Sequence, residues 1–232
     1  VTGVQTCALP ISNNQMRENE SHDAMGKLQR CLKRAFDIVG ALIGLIICSP
    51  LFLLISILIT YQSNGPIIFR QIRIGYKGRP FAIFKFRTMS SVVEEEGPQL
   101  VAKCDNSNST RLEQFLRGHH LDELPQLWNV LRGDMSFVGP RPERKFFIDK
   151  IIEQTDRYQL IYQMRPGLTS EATLYNGYTD TMEKMLRRME MDIHYLEHRT
   201  LWLDFTIVIK TVLKIVTRSE EHTSELQSHS EI

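Results

Sequence analysis

The chain has few cysteines, and no spacing among them suggests a metal site or a disulfide framework. The four cysteines of the 232 residues are scattered at positions 7, 31, 48 and 104, which is typical of a protein from a reducing compartment. A secretory signal is also lacking, because the apolar run starts too late and no cleavage pattern follows it. There are no internal repeats, and the net charge of +1 is small. We therefore exclude a disulfide-stapled secreted domain, and we expect no nucleic-acid partner.

The two ends of the chain differ from the rest. Residues 1–11, VTGVQTCALPI, and residues 218–232, which begin RSEEHTSELQSH, resemble translated sequencing-adapter DNA. The stretch ALPI can be encoded by DNA whose reverse complement encodes Arg-Ser-Glu-Glu, the residues that begin at Arg218. One piece of DNA read on both strands therefore explains both ends, and the alternative is a natural tail. We leave both segments out of the fold reasoning. Without them the chain has 27 Lys and Arg against 23 Asp and Glu, a net charge of +4.

A long uncharged segment stands near the start of the remaining chain. Residues 38–59, IVGALIGLIICSPLFLLISILI, are 22 residues without a charge, enough for a straight helix to cross a bilayer core of about 30 Å. Pro50 in its middle removes a backbone hydrogen bond and favours a bend. We predict a re-entrant helix that enters the membrane, bends at Ser49-Pro50 and returns. A kinked helix that crosses the membrane is the alternative, ahead of a buried helix of a soluble protein.

The charges that flank this segment favour the re-entrant prediction, because basic residues prefer the cytoplasmic side of a membrane. Four precede it and four follow it: Lys27, Arg30, Lys33, Arg34, Arg70, Arg73, Lys77 and Arg79. A helix that returns to its starting face keeps both clusters on the cytoplasmic side.

The predicted fold class is α+β and mostly helical. We expect a lead-in helix over 12–35, the re-entrant membrane helix over 36–60, and a cytoplasmic catalytic domain over 61–217 that has a β-hairpin and interfacial helices. The hairpin is predicted at Ile67–Ile74 and Phe81–Arg87, around the turn Gly75–Pro80, and residues 90–109 read as a loop. The remaining helices are predicted at Thr110–Leu116, from Asp122, at Glu143–Gln154, at Asp180–Glu197 and from Leu201.

The last of these helices carries apolar residues at helical spacing, including Phe205 and Val212, with Trp202 near its start. Such a pattern suits a helix that lies in a membrane interface. Packing of the same face onto the domain core explains it equally well.

Two adjacent carboxylates precede a proline in HHLDELPQLWNVLRGDM, residues 119–135. Asp is a favoured N-cap and Pro125 suits a first turn, so a helix is predicted to begin within a residue or two of Asp122. Its buried stripe would contain Leu124, Leu127, Trp128 and Leu131. On this stretch alone, Asp122 would cap the helix and Glu123 would complement its dipole, which together stabilise the fold by about 1 kcal/mol.

Basic residues near these carboxylates point to chemistry as well. Arg117 lies five residues before Asp122, Lys85 and Arg87 close the hairpin, and Arg141 stands between two prolines in VGPRPE. The prolines restrict the backbone and present the guanidinium, which can bind phosphate oxygens in bidentate fashion. A carboxylate beside a phosphate can hold Mg²⁺ or attack phosphorus as a nucleophile. Two adjacent acids allow one of each.

Three motifs in order resemble the bacterial monotopic phosphoglycosyl transferases, the small sugar-transferase group. They are KRAFDIVGALIG…SP, GPIIFRQIRIGYKGRPFAIFKFRTM and LDELPQLWNVLRGDMSFVGPRPE, and the resemblance covers about residues 30–216. It implies transfer of a sugar phosphate from a UDP-sugar to undecaprenyl phosphate, giving the undecaprenyl diphosphate sugar and UMP as the first membrane step of surface glycan synthesis. It also implies a re-entrant helix broken at Ser-Pro, membrane lipid as a partner, and the cytoplasmic face of the bacterial inner membrane.

The resemblance also implies roles for single residues. Asp122 would be the nucleophile of a ping-pong scheme with a covalent phosphosugar intermediate, and Glu123 would be a ligand of Mg²⁺. Arg117 would contact phosphate, and Arg141 would help to bind the nucleotide.

Lys85 and Arg87 match the family's Lys-Phe-basic-Thr-Met stretch near the site. Asp192, in EMDIHYL, resembles a family acid on the substrate side, and an exposed helix carboxylate is the alternative. For His119 and His120, capping or surface roles are favoured over catalysis.

The sequence departs from the family after RPGLT. Many members continue with a Gly-Trp-Ala-Gln-Val-Asn-Gly-Arg-like run, whereas this chain has SEATLYNGYTD, so the resemblance does not define the sugar. Two other functions compete with the transferase. A non-catalytic membrane adaptor would not need Asp122, and a membrane-attached phosphohydrolase would transfer phosphorus to water. A homodimer is left open.

Overall fold

The computed structural model describes residues 23–62, 65–88, 110–176, 179 and 181–230, with side chains from 218 onwards and at 216 left aside. The described part is mostly helical with two small sheets, which confirms the α+β class. The helices are α1 (Lys27–Gln62), α2 (Arg111–Gly118), α3 (Gln126–Arg132), α4 (Lys145–Ile152), α5 (Glu171–Tyr175), α6 (Met182–His198) and α7 (Leu201–Ser230). The strands are β1 (Ile68–Ile74), β2 (Pro80–Phe86), β3 (Ser136–Val138) and β4 (Gly167–Thr169). The predicted loop 90–109 and residues 12–22 of the predicted lead-in lie outside the described residues.

The predicted hairpin is confirmed to within one residue at each end. β1 and β2 pair antiparallel, with Phe69 opposite Lys85 and Ile74 opposite Pro80. The turn between them contains Lys77 at φ 58° and Gly78 at φ 68°. Glycine adopts this left-handed region without a steric penalty, which is why a Lys-Gly pair suits the turn.

α1 runs without interruption across the expected boundary at residue 35 and contains Pro50. Proline has no N–H to donate to the carbonyl four residues earlier, that of Ile46. The hydroxyl of Ser49 donates to this carbonyl oxygen at 2.8 Å. The Ser-Pro pair therefore removes a backbone donor and replaces it with a side-chain donor one residue away, which lets the helix continue.

Both halves of α1 pack on the rest of the chain. Ala41, before Pro50, belongs to a core cluster with Ile83 and Val130. After Pro50, Ile55 and Ile59 belong to a cluster with Phe86 and Leu116. The other faces of α1 are apolar and exposed, at 39–71% for Ile38, Val39, Leu42, Ile43, Ile46, Ile47, Leu53, Leu54, Ile57 and Leu58. By length and composition α1 could cross a membrane, and 11% of its most apolar window is buried.

The charged residues at the start of α1 face the protein. Lys33 donates to the carbonyl oxygen of Val138 at 2.9 Å and to Asp204 at 2.5 Å. Arg34 donates to the carbonyl oxygens of Val130 and Leu131 at 2.6 and 2.9 Å. These two cations were counted as membrane-flanking charges in the sequence argument, but their hydrogen bonds are made inside the fold. Fewer of the flanking charges are therefore available to face the membrane surface than the sequence indicates.

β3 and β4 form a parallel pair, with Ser136 opposite Gly167 and Val138 opposite Thr169. The backbones come so close that a Cβ on Gly139 would lie 2.2 Å from the carbonyl oxygen of Arg165. Only glycine fits there. This pair places the Pro140–Pro142 turn directly after β3, and the sequence analysis did not predict it.

α7 packs one face on the domain core and leaves the other exposed, so core packing is confirmed for one face and the membrane interface stays a prediction for the other. Asp204 and Ile207 are buried, and Tyr195 of α6 donates a hydrogen bond to Asp204. The other face is apolar and exposed, at 43–75% for Trp202, Phe205, Ile209, Val212 and Leu213. The helix continues to Ser230, into the segment that was set aside as adapter.

Candidate active site

The two carboxylates lie in a short 3-10 turn, Leu121–Glu123, and not at the N-cap of an α-helix. The prediction that a helix begins within a residue or two of Asp122, with Asp122 as its cap, is therefore wrong, because the α-helix begins at Gln126. Pro125 has no backbone N–H to donate. The residues before it form i→i−3 hydrogen bonds of the 3-10 type, such as the one from the Leu124 N–H to the Leu121 carbonyl oxygen at 3.3 Å. α3 starts after Pro125. His120 precedes the turn and lies in the left-handed region, at φ 55°. This conformation is uncommon for residues other than glycine.

Asp122 is buried, with 7% of its surface exposed. Burial disfavours the charged carboxylate and raises its pKa to about 6, although the nearby cations Lys85 and Arg117 act in the opposite direction. At neutral pH the group is still mostly ionised, and it is more basic than an ordinary aspartate. This is the state that a carboxylate nucleophile needs.

Glu123 points to a different environment. Its Oε1 atom accepts a hydrogen bond from the Lys85 ammonium at 2.5 Å, and the glutamate side chain is 20% exposed. Burial by itself would raise the pKa of Glu123, but the positive charges of Lys85 and Arg141 outweigh it and hold the pKa at about 2. Two neighbouring acids are thus pushed in opposite directions, which is how one site assigns two roles to two carboxylates.

Asn129 explains why Lys85 meets Glu123. This fully buried residue of α3 donates from Nδ2 to the carbonyl oxygen of Ala82 at 2.8 Å, and its Oδ1 accepts from the backbone N–H of Phe84 at 3.1 Å. Both partners belong to β2, next to Lys85. The amide thus fixes the hairpin against α3 and sets the register of Lys85 over the carboxylate turn.

The other three predicted cations differ in their contacts around this turn. Arg117 ends α2 and acts on Asp122 through its charge, while its Nε donates to the Glu113 carbonyl at 3.4 Å. Arg141 is exposed between buried prolines and acts on Glu123. Arg87 lies against Gly65, where a Cβ would come within 1.9 Å of its Nη1 atom.

Asp192 lies in the interior, and its reading as an exposed helix carboxylate is wrong. It is 3% exposed and lines a small cavity together with Arg141, Glu143, Tyr158 and Arg188. Burial raises the pKa of Asp192 to about 8, and the charge of Arg188 opposes this rise. Arg141 therefore lies near both acids, since it lines this cavity with Asp192 and lowers the pKa of Glu123.

The sequence matches a known protein family over most of its length. Residues 28–218 match the family described as bacterial sugar transferase. The chain belongs to this family.

Curated relatives of this sugar transferase carry specific names. The chain is 39% identical over 186 residues to "UDP-N-acetylgalactosamine-undecaprenyl-phosphate N-acetylgalactosaminephosphotransferase" of Aeromonas hydrophila, which covers 80% of the chain and 44% of the relative. It is 40% identical over 189 residues to "UDP-glucose:undecaprenyl-phosphate glucose-1-phosphate transferase" of Escherichia coli, and the match covers 81% of the chain and 40% of the relative. A protein of the same name from Caulobacter vibrioides is 43% identical over 188 residues, covering 80% and 70%. The chain thus spans less than half the length of the first two relatives.

Several residues of this sugar transferase's site were not found from the sequence. Asn129 was missed because the predicted stripe placed Trp128 inside, whereas Trp128 is 53% exposed and Asn129 is 0% exposed. An asparagine inside an apolar helix pattern is the signal that could have found it. Gln126 is also buried, and its Nε2 atom has no hydrogen-bond partner in the described structure. Glu143 was overlooked because its role depends on residues distant in sequence.

The donor set fits Mg²⁺ only as a shared ion. Within the described ranges no three His, Cys, Asp or Glu side chains are grouped closely enough to form a metal cage. Mg²⁺, however, is commonly bound by one or two carboxylates together with substrate phosphates and waters. The low pKa of Glu123 keeps its carboxylate ionised across the physiological range. Glu123 is therefore suited to hold Mg²⁺ jointly with a diphosphate.

Proposed function

We propose that the chain transfers a sugar phosphate from a UDP-sugar to undecaprenyl phosphate, giving the undecaprenyl diphosphate sugar and UMP. The observation that carries the proposal is the Asp122–Glu123 turn, in which one acid is buried with a raised pKa and its neighbour is ionised against Lys85. Family membership and the names of the relatives support the same reaction class.

The proposed reaction has two displacements at one phosphorus. In the first, a carboxylate oxygen of Asp122 attacks the phosphorus that bears the sugar, and the bond to the bridging oxygen breaks so that UMP leaves. In the second, an oxygen of undecaprenyl phosphate attacks the same phosphorus and releases the Asp122 carboxylate. Phosphoryl transfer depends mainly on positioning and on charge stabilisation, so the surrounding cations matter as much as the nucleophile.

The other residues have binding roles in this proposal. Glu123, held by Lys85, would bind Mg²⁺ together with the donor diphosphate, and the ion would neutralise phosphate charge. Arg141 is exposed on a turn fixed by two prolines and would bind the nucleotide phosphate. Arg117, beside Asp122, would contact the phosphate of either substrate. Arg87 would lie at the edge of the site, and Asp192 behind Arg141.

The membrane arrangement proposed for α1 is re-entrant. Ala41 and Ile55 are fourteen positions apart, about 21 Å along a straight helix, and both pack on the domain that carries the carboxylates. A helix that crossed a core of about 30 Å would carry one of these contacts away from that domain. The exposed apolar faces of α1 and α7 suit lipid, so the domain would rest on the cytoplasmic face of the bacterial inner membrane.

The sugar is open in this proposal. Two relatives with almost the same identity to this chain, 39% and 40%, are named for N-acetylgalactosamine and for glucose. Identity at this level therefore does not favour one donor.

The test is UMP release by purified protein in bilayer discs, with a panel of UDP-sugars, Mg²⁺, and undecaprenyl phosphate present or absent. We expect UMP turnover only with lipid acceptor, loss of turnover on Mg²⁺ chelation, and a loss of at least about a thousandfold in Asp122→Asn. Asp149→Asn, which removes a half-exposed acid of α4, should behave as the unaltered protein. Sustained release of sugar phosphate without lipid would indicate a hydrolase. Absence of UMP from folded protein across the panel would indicate an adaptor.

A further inference from the structure

The Pro140–Pro142 turn and the residue after it are hydrogen-bonded to two other elements, β4 and β1. The carbonyl oxygen of Pro140 accepts from the backbone N–H of Gly167 at 2.9 Å, next to the β3–β4 pair. The carbonyl oxygen of Pro142 accepts from a guanidinium N–H of Arg73 in β1 at 3.3 Å. The residue after the turn, Glu143, accepts at its carbonyl oxygen from the N–H of Ile74 at 3.1 Å. The exposed Arg141 therefore stands on a turn whose flanking residues, Pro140, Pro142 and Glu143, are hydrogen-bonded to β4 and β1.

The side chain of Glu143 joins β1 to α6. One of its oxygens accepts from Arg188 of α6 at 2.8 Å, and the other lies 3.8 Å from Arg73 of β1. All three side chains are 13–17% exposed. The two arginines stabilise the ionised form of this carboxylate. In turn, the carboxylate offsets the cost of burying each arginine charge.

Removal of that single charge would leave two arginines close together in a poorly solvated region. Burial lowers the pKa of both Arg73 and Arg188, whereas the charge of Glu143 acts against that shift. Arg141 adds a third positive charge in the same region. Without Glu143 these like charges would repel each other, and Arg141, the exposed one of the three, is the cation that can turn away.

We propose that Glu143 is a positioning residue for Arg141: its carboxylate clamps β1 to α6 and thereby holds the Pro-Arg-Pro turn in the geometry that binds the donor nucleotide. The inference rests on the proposed function for its kinetic readout. Asp192 and Tyr158 complete the wall behind the turn, as they line the same cavity as Arg141 and Glu143. Arg73 and Glu143 are thereby assigned a place in donor binding that neither had from the sequence.

The kinetic experiment compares Glu143→Gln with the unaltered protein. A misplaced binding group weakens ground-state binding, so we expect the KM for the UDP-sugar to rise about ten- to a hundredfold, with kcat at saturating donor within about twofold. In an Arg141→Ala background the same substitution should add no further change in KM, because the residue through which it acts is gone. Glu143→Asp keeps the charge and should restore part of the affinity.

Glu190→Gln is the matched control, because Glu190 lies on the same helix α6 and pairs with Arg157 on the surface, at 48% and 51% exposure. It should change neither KM nor kcat. Multiplicative effects of Glu143→Gln and Arg141→Ala would overturn the proposal, as would a KM equal to that of the unaltered protein.

A second measurement does not depend on activity. Amide hydrogen exchange of the full chain should become faster in Glu143→Gln at Ile74 and Gly167, whose N–H groups bind the turn, and should stay unchanged in α3. Faster exchange with an unchanged KM would mean a merely structural role and would overturn the proposal. If the unaltered protein released no UMP at all, the proposed function would fail, and unchanged exchange at Ile74 and Gly167 would separately refute the clamp.

Discussion

Asn129→Ala tests whether the active-site register depends on one buried amide. The substitution removes the hydrogen bonds to the Ala82 carbonyl and the Phe84 N–H, at 2.8 and 3.1 Å. A buried polar group left without its partner costs about 1–3 kcal/mol. For two half-buried backbone groups we expect a loss of about 2–4 kcal/mol in the free energy of unfolding. That is a substantial part of the stability of an ordinary domain, about 5–15 kcal/mol, but not all of it.

The expected effect on activity is larger than the loss of stability explains. Lys85 follows Phe84 on β2, so a hairpin that moves relative to α3 lengthens the 2.5 Å contact between Lys85 and Glu123. UMP release should therefore fall at least about tenfold at a temperature where the variant is still folded.

Val130→Ala is the control for this experiment. Val130 is the next residue of α3, is 0% exposed, and packs against Ala41 of α1 and Ile83 of β2, but its side chain makes no hydrogen bond to the β2 backbone. Its truncation costs about 2 kcal/mol through lost burial and a small cavity. Thermal unfolding gives the stability of both variants, and UMP release gives their activity. Equal loss of activity in the two variants at equal stability would refute the positioning role of Asn129.

Two further predictions concern a buried acid and the membrane helix. Folding raises the pKa of Asp192 from 3.8 to about 8. Between about pH 4 and pH 8 the folded chain therefore keeps a proton on Asp192 that the unfolded chain releases. In this range the free energy of unfolding falls as pH rises, by at most about 1.4 kcal/mol per pH unit. Unfolding of Asp192→Asn should lack this contribution, and a variant that is less stable than the unaltered protein at pH 8 would mean that Asp192 is ionised beside Arg188. For α1, single cysteines at Gly26 and Tyr61 in a cysteine-free background should both resist a membrane-impermeant maleimide in intact cells. Labelling of only one of them would indicate a helix that crosses.

The parts of the fold that the sequence predicts are those whose cause is local. The hairpin follows from alternating side chains and a left-handed Lys77-Gly78 turn, and it was placed to within one residue. α2 follows from a capping box in which Thr110 binds the Glu113 N–H at 3.3 Å and Glu113 binds the Thr110 N–H at 2.9 Å. In each case the residues that decide the structure lie within a few positions of one another.

The carboxylate turn shows where local reasoning fails. An N-cap aspartate and a first-turn proline predict an α-helix from Asp122, but the chain makes a 3-10 turn and buries the aspartate. Pro125 accounts locally for the turn, but the charge environment of Glu123 depends on Lys85, which is 38 positions away, and on Asn129, which hydrogen-bonds to β2. The two acids were identified as a site from their cations, and their geometry came only from contacts distant in sequence.

The basic residues before the predicted membrane segment also have roles that depend on contacts distant in sequence. Counted along the sequence, Lys33 and Arg34 are flanking charges that indicate topology. In the fold, Arg34 binds the last carbonyls of α3 at Val130 and Leu131, where a cation also complements the helix dipole. Asp37 binds the Phe137 N–H and the Ser136 hydroxyl of β3, each at 3.0 Å. α1 therefore supports the helix that follows the carboxylate turn and the strand that leads to Arg141. The segment proposed to contact lipid is also part of the scaffold of the site. In this proposal one helix would set both the position of the membrane and the geometry of the two carboxylates.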